Sequence, residues 1–232
     1  MQPEHSETRR YRYLDLFINI FVVVLIVSNL IAPKFVAVGP LRFSAAQLLF
    51  PITYIFGDVF TEVYGYSASR RAIWIGFLAS AIMTGFGLFA IWLPGAPEFK
   101  DQAAYETIFG AIPRNVAGSL LAYMAGEFAN SLTMAKMKLW TSGRHLWTRT
   151  VGSTVVGQAV DTTIVILFIF GGHTPLPLMV NFILSGYTFK VVYEILATPL
   201  TYLVVNFLKR AEGVDFFDRE TNFNPFLVRK GG

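Results

Sequence analysis

Six stretches of the chain are apolar for about the thickness of a lipid bilayer: Leu14–Ala32, Ala45–Tyr64, Ala72–Leu93, Val116–Met137, Val151–Gly171 and Leu178–Leu208. A hydrocarbon core of about 30 Å needs roughly 20 helical residues at about 1.5 Å each. Inside hydrocarbon every backbone N–H and C=O must be satisfied by the protein itself, so helices and closed barrels are the available spanning structures. The blocks are continuous rather than alternating apolar and polar, which argues against a barrel. The chain is 54% hydrophobic, too apolar for a soluble domain of this length. The expectation is an all-α integral membrane protein, a six-helix transmembrane bundle. Residues 1–210 read as a single transmembrane domain. Residues 211–232 read as a cytoplasmic tail in which Glu212→Gln should change little. Pro51, Asp58 and Glu62 interrupt the second block. The sixth is too long for one straight span and carries Pro199. It reads as a kinked helix, or as a short re-entrant piece followed by a helix. Leu14–Ala32 is long for a signal-peptide core and has no small-x-small site after it, so it reads as a retained first helix.

Lysine and arginine orient this bundle. With six spans and the N-terminus inside, 14 of them fall on the cytoplasmic side and 4 outside, with Lys190 within the membrane. That is a positive-inside bias, and it places both termini in the cytoplasm. The basic clusters therefore read as headgroup contacts rather than a nucleic-acid surface. Between Pro94 and Pro113 the chain is rich in Pro, Gly and acidic residues, with a short interfacial helix expected over Tyr105–Ala111.

Five carboxylates and one lysine sit within these blocks: Asp58, Glu62, Glu127, Asp161, Glu194 and Lys190. An ionisable group in hydrocarbon costs roughly 2.5–3.5 kcal/mol on insertion scales, so each must face a partner or a cavity. Asp58 and Glu62 are four residues apart and project from one face. Two carboxylates so placed repel, so they share a cation or one holds a proton. Glu62, at the end of its block, reads equally as a hydrated terminal residue. Gly118, Ala122 and Gly126 form a small-residue stripe for helix packing, with Glu127 and Asn130 on the adjacent face. Gln158 and Asp161 are three apart, and Gly157 leaves room beside them. A carboxylate and a primary amide suit a heterocycle bearing several N–H donors. Lys190 and Glu194 are four apart, with Tyr187 a turn before, and read as an internal ion pair. Lys190 is alternatively a partner for Asp58 or Asp161, released when substrate arrives. Asn29 either caps the first helix or lines an entrance.

The runs FPITYIFGDVFTEVYGYSASRRA, GSLLAYMAGEFANS, STVVGQAVDTT and GYTFKVVYEILATP, with SNLIAPK before them, resemble the vitamin uptake transporter family of queuosine precursor transporters. The likeness runs in order from about Ser28 to Lys209. It implies a bacterial inner-membrane importer of 7-deazaguanines, preQ0 or preQ1, for queuosine synthesis in tRNA. It also implies a likeness to the membrane substrate-binding subunits of energy-coupling-factor importers. Asp58, Gln158, Asp161 and Lys190 match the family's polar positions. Glu62, Glu127 and Glu194 are positions where the family varies. The chemistry agrees: a deazaguanine edge offers N–H donors to carboxylates and amides. The cationic aminomethyl group of preQ1 would favour an unpaired carboxylate over the neutral nitrile of preQ0.

The alternative is a substrate-binding subunit for another vitamin or nucleobase, working with a separate ATPase. The chain has no GxxxxGK[ST] motif, so ATP use would need a partner. The histidines, His5, His145 and His173, lie outside the blocks, and there is no HExxH or GxSxG. No enzyme chemistry, metal site or cofactor is expected. The expected partners are the deazaguanine and the bilayer, with a homo-oligomer left open.

Overall fold

The computed structural model describes residues 11–32, 34–38, 41–110, 113–172 and 174–227. Each apolar block becomes helical. The elements are α1 (Leu14–Ile31), β1 (Phe35–Val38), β2 (Leu41–Ser44), α2 (Phe50–Val59), α3 (Tyr66–Trp92), α4 (Gln102–Phe109), α5 (Pro113–Trp140), α6 (Leu146–Phe170) and α7 (Leu176–Glu212). A 3₁₀ turn over Ala45–Leu48 precedes α2, and a π turn over Phe60–Tyr64 continues it. The antiparallel hairpin pairs Phe35 with Ser44 and Val38 with Leu41. Sequence patterning left this segment without structure. The interfacial helix expected over Tyr105–Ala111 forms as α4, a few residues earlier, while Ala111 lies outside the described residues.

Among the described residues, four helices are long and apolar enough to cross a membrane: α1, α3, α6 and α7. The ten residues of α2 are too few alone and carry Asp58. At 28 residues α5 has the length, but Gly118, Ser119, Gly126, Glu127, Asn130 and Ser131 dilute its apolar character. The 37 residues of α7 run unbroken through Pro199, so the re-entrant alternative is wrong. Proline at 199 removes one backbone donor. Around it the Thr198 hydroxyl donates to the Glu194 carbonyl at 2.8 Å. Leu184, Phe189, Val192, Leu196, Leu200, Leu203 and Phe207 lie exposed along this helix. An apolar stripe of that length in water would be an aggregation surface; in a bilayer it is the lipid face.

Helices α5 and α6 are joined by a short loop and pack antiparallel. Gly118 faces Phe168, Gly126 faces Asp161, Gly157 faces Asn130 and Gly152 faces Met137. A Cβ on Gly126 would sit 2.6 Å from the Asp161 Cβ, so only glycine permits this approach. The small-residue stripe is a packing seam, as its spacing implied. Gly157 belongs to the same seam: a Cβ there would meet Asn130 at 2.8 Å. Its space is filled by α5, so it does not make the room for a ligand that the sequence suggested.

The residues after α7 do not hang free. Backbone N–H of Tyr66 donates to Asp218 at 3.0 Å. The Arg70 guanidinium donates to the Asn222 and Asn224 carbonyls, each at 2.8 Å. Trp74 Nε1 donates to the Pro225 carbonyl at 2.7 Å. This strap lies along the first turns of α3. Gly65, with φ +86, lets the chain turn from the π helix into α3 against the Phe216 ring. Glu212 is also structural: its carboxylate accepts from the N–H groups of Arg12 and Tyr13 and from the Tyr64 hydroxyl. It thus ties the end of α7 to the residues just before α1.

Candidate functional site

The polar residues of the apolar blocks divide into two groups. One sits at the end of the bundle that carries the basic loops. Glu62 lies in the π turn and is fully buried. Arg149 of α6 holds it in a two-pronged grip, Nε to Oε2 at 3.0 Å and Nη2 to Oε1 at 2.8 Å. Lys209 of α7 approaches Oε1 at 2.6 Å, and Lys138 of α5 lies 3.4 Å from it. Lys138 and Lys209 also meet Asp215 of the strap at 2.6 and 2.8 Å. Burial works to raise the Asp215 carboxyl, but the two ammonium groups outweigh it and hold it below the ordinary value. Glu62 is therefore not a hydrated end residue. It is the centre of a desolvated charge cluster joining the π turn, three helices and the strap. A π turn is a frequent marker of functional positions.

The second group lies deeper. Asp58 of α2 is fully buried and accepts from Asn130 Nδ2 of α5 at 2.9 Å through Oδ1. Its Oδ2 has no partner among the described residues. Glu127 of α5 is 1% exposed, and neither of its oxygens has a partner among the described residues. Its Oε2 points at α2, where a Cβ on Gly57 would come within 2.7 Å. Glu194 of α7 is buried with Oε1 unpartnered, and it lies within electrostatic reach of both Asp58 and Glu127. Gln158 of α6 is fully buried, with its amide beside the Tyr54 hydroxyl of α2. Tyr54 of α2 lies among Asp161, Glu127, Gln158 and Tyr123. Native proteins leave few buried polar atoms unpaired, each at a cost of roughly 1–3 kcal/mol. So many in one interior mark a place where something else supplies the partners.

Of the pairings offered for Lys190, the one with Asp161 forms. Lys190 does not pair with Glu194 along α7. It reaches across to α6, where Nζ lies 2.5 Å from Asp161 Oδ2 and 3.4 Å from Thr162 Oγ1. Asp58 meets Asn130 and not Lys190. Spacing along a helix shows which residues share a face, but a lysine stem is long enough to choose a neighbouring helix. Asn29 lies apart, donating to Ser80 Oγ of α3 at 3.2 Å. Tyr187 is half-buried on α7 and makes no hydrogen bond among the described residues. Sequence reasoning passed over Tyr54, Arg149, Lys138, Lys209 and Asp215. The basic three read as headgroup contacts because their anion is distant in the chain.

The helices carry buried carboxylates and amides inward and an apolar stripe outward, a polar interior in a bundle with a lipid-compatible surface. Comparison with known proteins decides what kind. A family model described as "Putative vitamin uptake transporter" matches residues 44–204. The chain belongs to the vitamin uptake transporter family. It is thus a multi-pass membrane protein that moves a small molecule, and not an enzyme. It is also 30% identical over 176 residues to a protein of Bacillus subtilis (strain 168) named "Probable queuosine precursor transporter". That match covers 75% of this chain and 77% of the relative. No solved structure matches. The matched segment of this vitamin uptake transporter contains Asp58, Glu62, Glu127, Gln158, Asp161, Lys190 and Glu194, while Lys209 and Asp215 of the Glu62 cluster lie beyond it.

Proposed function

We propose that this protein imports a 7-deazaguanine, preQ1 in preference to preQ0, across the bacterial inner membrane for queuosine synthesis. The similarity to a relative named as a queuosine precursor transporter gives the class. The observation that supports the substrate reading is Glu127, whose oxygens have no partner among the described residues, in one interior with Asp161 and with the buried Gln158 and Tyr54 side chains. A guanine-like edge offers the N–H donors such acceptors lack and a carbonyl for the amide N–H. The cationic arm of preQ1 would answer carboxylates that have no cation of their own. Asp161 and Gln158 hold the base in this reading, and Lys190 is displaced from Asp161 as the base enters. An ATPase-dependent subunit for another vitamin is the lesser reading, and no observation favours it.

The test is rescue of a queuosine-auxotrophic host, with protein levels matched. Expression of this chain should restore tRNA queuosine at low external preQ1 and require more preQ0. No rescue by either base would end the substrate assignment.

The same proposal includes six membrane-crossing segments, with α2 plus its π turn and α5 supplying the two beyond α1, α3, α6 and α7. Both termini then lie in the cytoplasm, with the Glu62 cluster at the inner end. The chain has no cysteine, so single cysteines report cleanly. One at Gly172 and one at Arg144 should react with an impermeant maleimide from opposite sides. Reaction from the same side would refute this topology.

A further inference from the structure

The carboxylates of the deeper group outnumber its cations. Asp58 from α2, Glu127 from α5 and Glu194 from α7 lie together, each at most 2% exposed. Asp161 has Lys190; the other three have no Lys, Arg or His within ion-pair distance among the described residues. Glu127 is the least supported, with neither oxygen hydrogen-bonded. The groups facing it are Asp58 and Tyr54 from α2, Tyr123 from its own helix, Asp161 from α6 and Glu194 from α7. Every carboxylate among them repels a charge on Glu127, and Lys190 is engaged with Asp161. Low dielectric makes that repulsion larger than in water.

Among the described residues, no three His, Cys, Asp or Glu side chains come close enough to share a metal ion. The proton is the cation that needs one carboxylate rather than a shell of ligands. Gln158, and Asn130 with an Oδ1 that has no partner among the described residues, border the same interior, so proton and substrate would occupy adjoining positions.

We propose that Glu127, flanked by Asp58 and Glu194, is a proton-binding site whose occupancy is coupled to substrate movement, making this protein a proton–substrate symporter. The proton binds the Glu127 carboxylate when the site opens outward, crosses with the substrate, and leaves to the lower proton concentration inside. The proposal rests on the transport reading above but not on which deazaguanine is carried.

The experiment uses the purified full chain in proteoliposomes with radiolabelled preQ1. Potassium is equal on both sides, with valinomycin present to hold the voltage at zero. An outside pH one unit lower should drive accumulation toward about tenfold for one proton per substrate, since one pH unit is a tenfold ratio. A sodium gradient should drive none. Glu127→Gln, at whatever rate it exchanges label, should end at an inside-to-outside ratio of about one. Infrared spectra, without substrate, should show a protonated-carboxyl C=O band in the wild type that Glu127→Gln loses. Accumulation driven by sodium, a Glu127→Gln protein that still follows the pH gradient, or an infrared band unchanged by the substitution would each overturn the proposal. If the wild type exchanges neither preQ1 nor preQ0, the substrate reading fails, and the infrared comparison still decides the proton site.

Discussion

Glu62→Gln should be the most damaging single substitution in this protein, costing about 3–5 kcal/mol of stability. The carboxylate is fully buried against Arg149, and Lys209 and Lys138 share it. Removing its charge leaves the Arg149 guanidinium, itself 1% exposed, without an anion in a dry environment. The apparent melting temperature in detergent should fall by roughly 10 °C. Loss of folded protein in the membrane should accompany it. The double variant Glu62→Gln with Arg149→Gln should recover part of the loss, because it removes the orphaned cation as well. A Glu62→Gln protein as stable as the parent would show that the cluster is solvated, contrary to the geometry. Equal loss in the single and double variants would show that packing, not charge, holds this end together.

Asp161→Asn should weaken uptake roughly ten- to hundredfold in half-saturating concentration at matched protein level. The substitution keeps the shape, removes the charge and replaces an acceptor with a donor. A buried hydrogen bond to a charged group contributes about 1.5–3 kcal/mol, and about 1.4 kcal/mol is tenfold in affinity. Asp161 also neutralises Lys190 at 2.5 Å, so stability must be measured alongside. Lys190→Gln separates the two roles. If Asp161 binds the base, Lys190→Gln removes a competitor for that carboxylate and leaves affinity equal or better. If the pair is purely structural, both variants lose folded protein and neither changes concentration dependence. Unaltered uptake by Asp161→Asn would end its assigned role.

Much of this was legible from the blocks themselves. Leu14–Ala32 forecast α1 to within a residue, because an apolar run that long has one stable backbone form in lipid. The blocks erred where charge was hidden by partners elsewhere. Arg70 and Arg71 seemed to end a loop before Ala72, yet α3 starts at Tyr66, since the strap's carbonyls receive the Arg70 guanidinium. Arg149 seemed to exclude the start of α6, yet that helix begins at Leu146 because Glu62 neutralises it. The burial of Asp58, Glu127, Gln158, Asp161 and Glu194 followed from the cost of exposing them to lipid. Who bonds to whom did not. Asn130 taking Asp58, and which of its three candidate carboxylates Lys190 meets, depend on the relative rotation of helices far apart in sequence.

The strap has a consequence for how the molecule is made. Lys138 emerges from the ribosome long before Asp215, its 2.6 Å partner, and Arg70 long before Asn222 and Asn224. Until the strap is released, the helices stand with cations and a tryptophan N–H that water or lipid headgroups must satisfy. Closure of the bundle therefore waits on a stitch sewn after α7 has been made. A nascent chain stalled short of Asp215 would be a membrane-inserted but unsealed bundle, of the kind that quality-control proteases recognise.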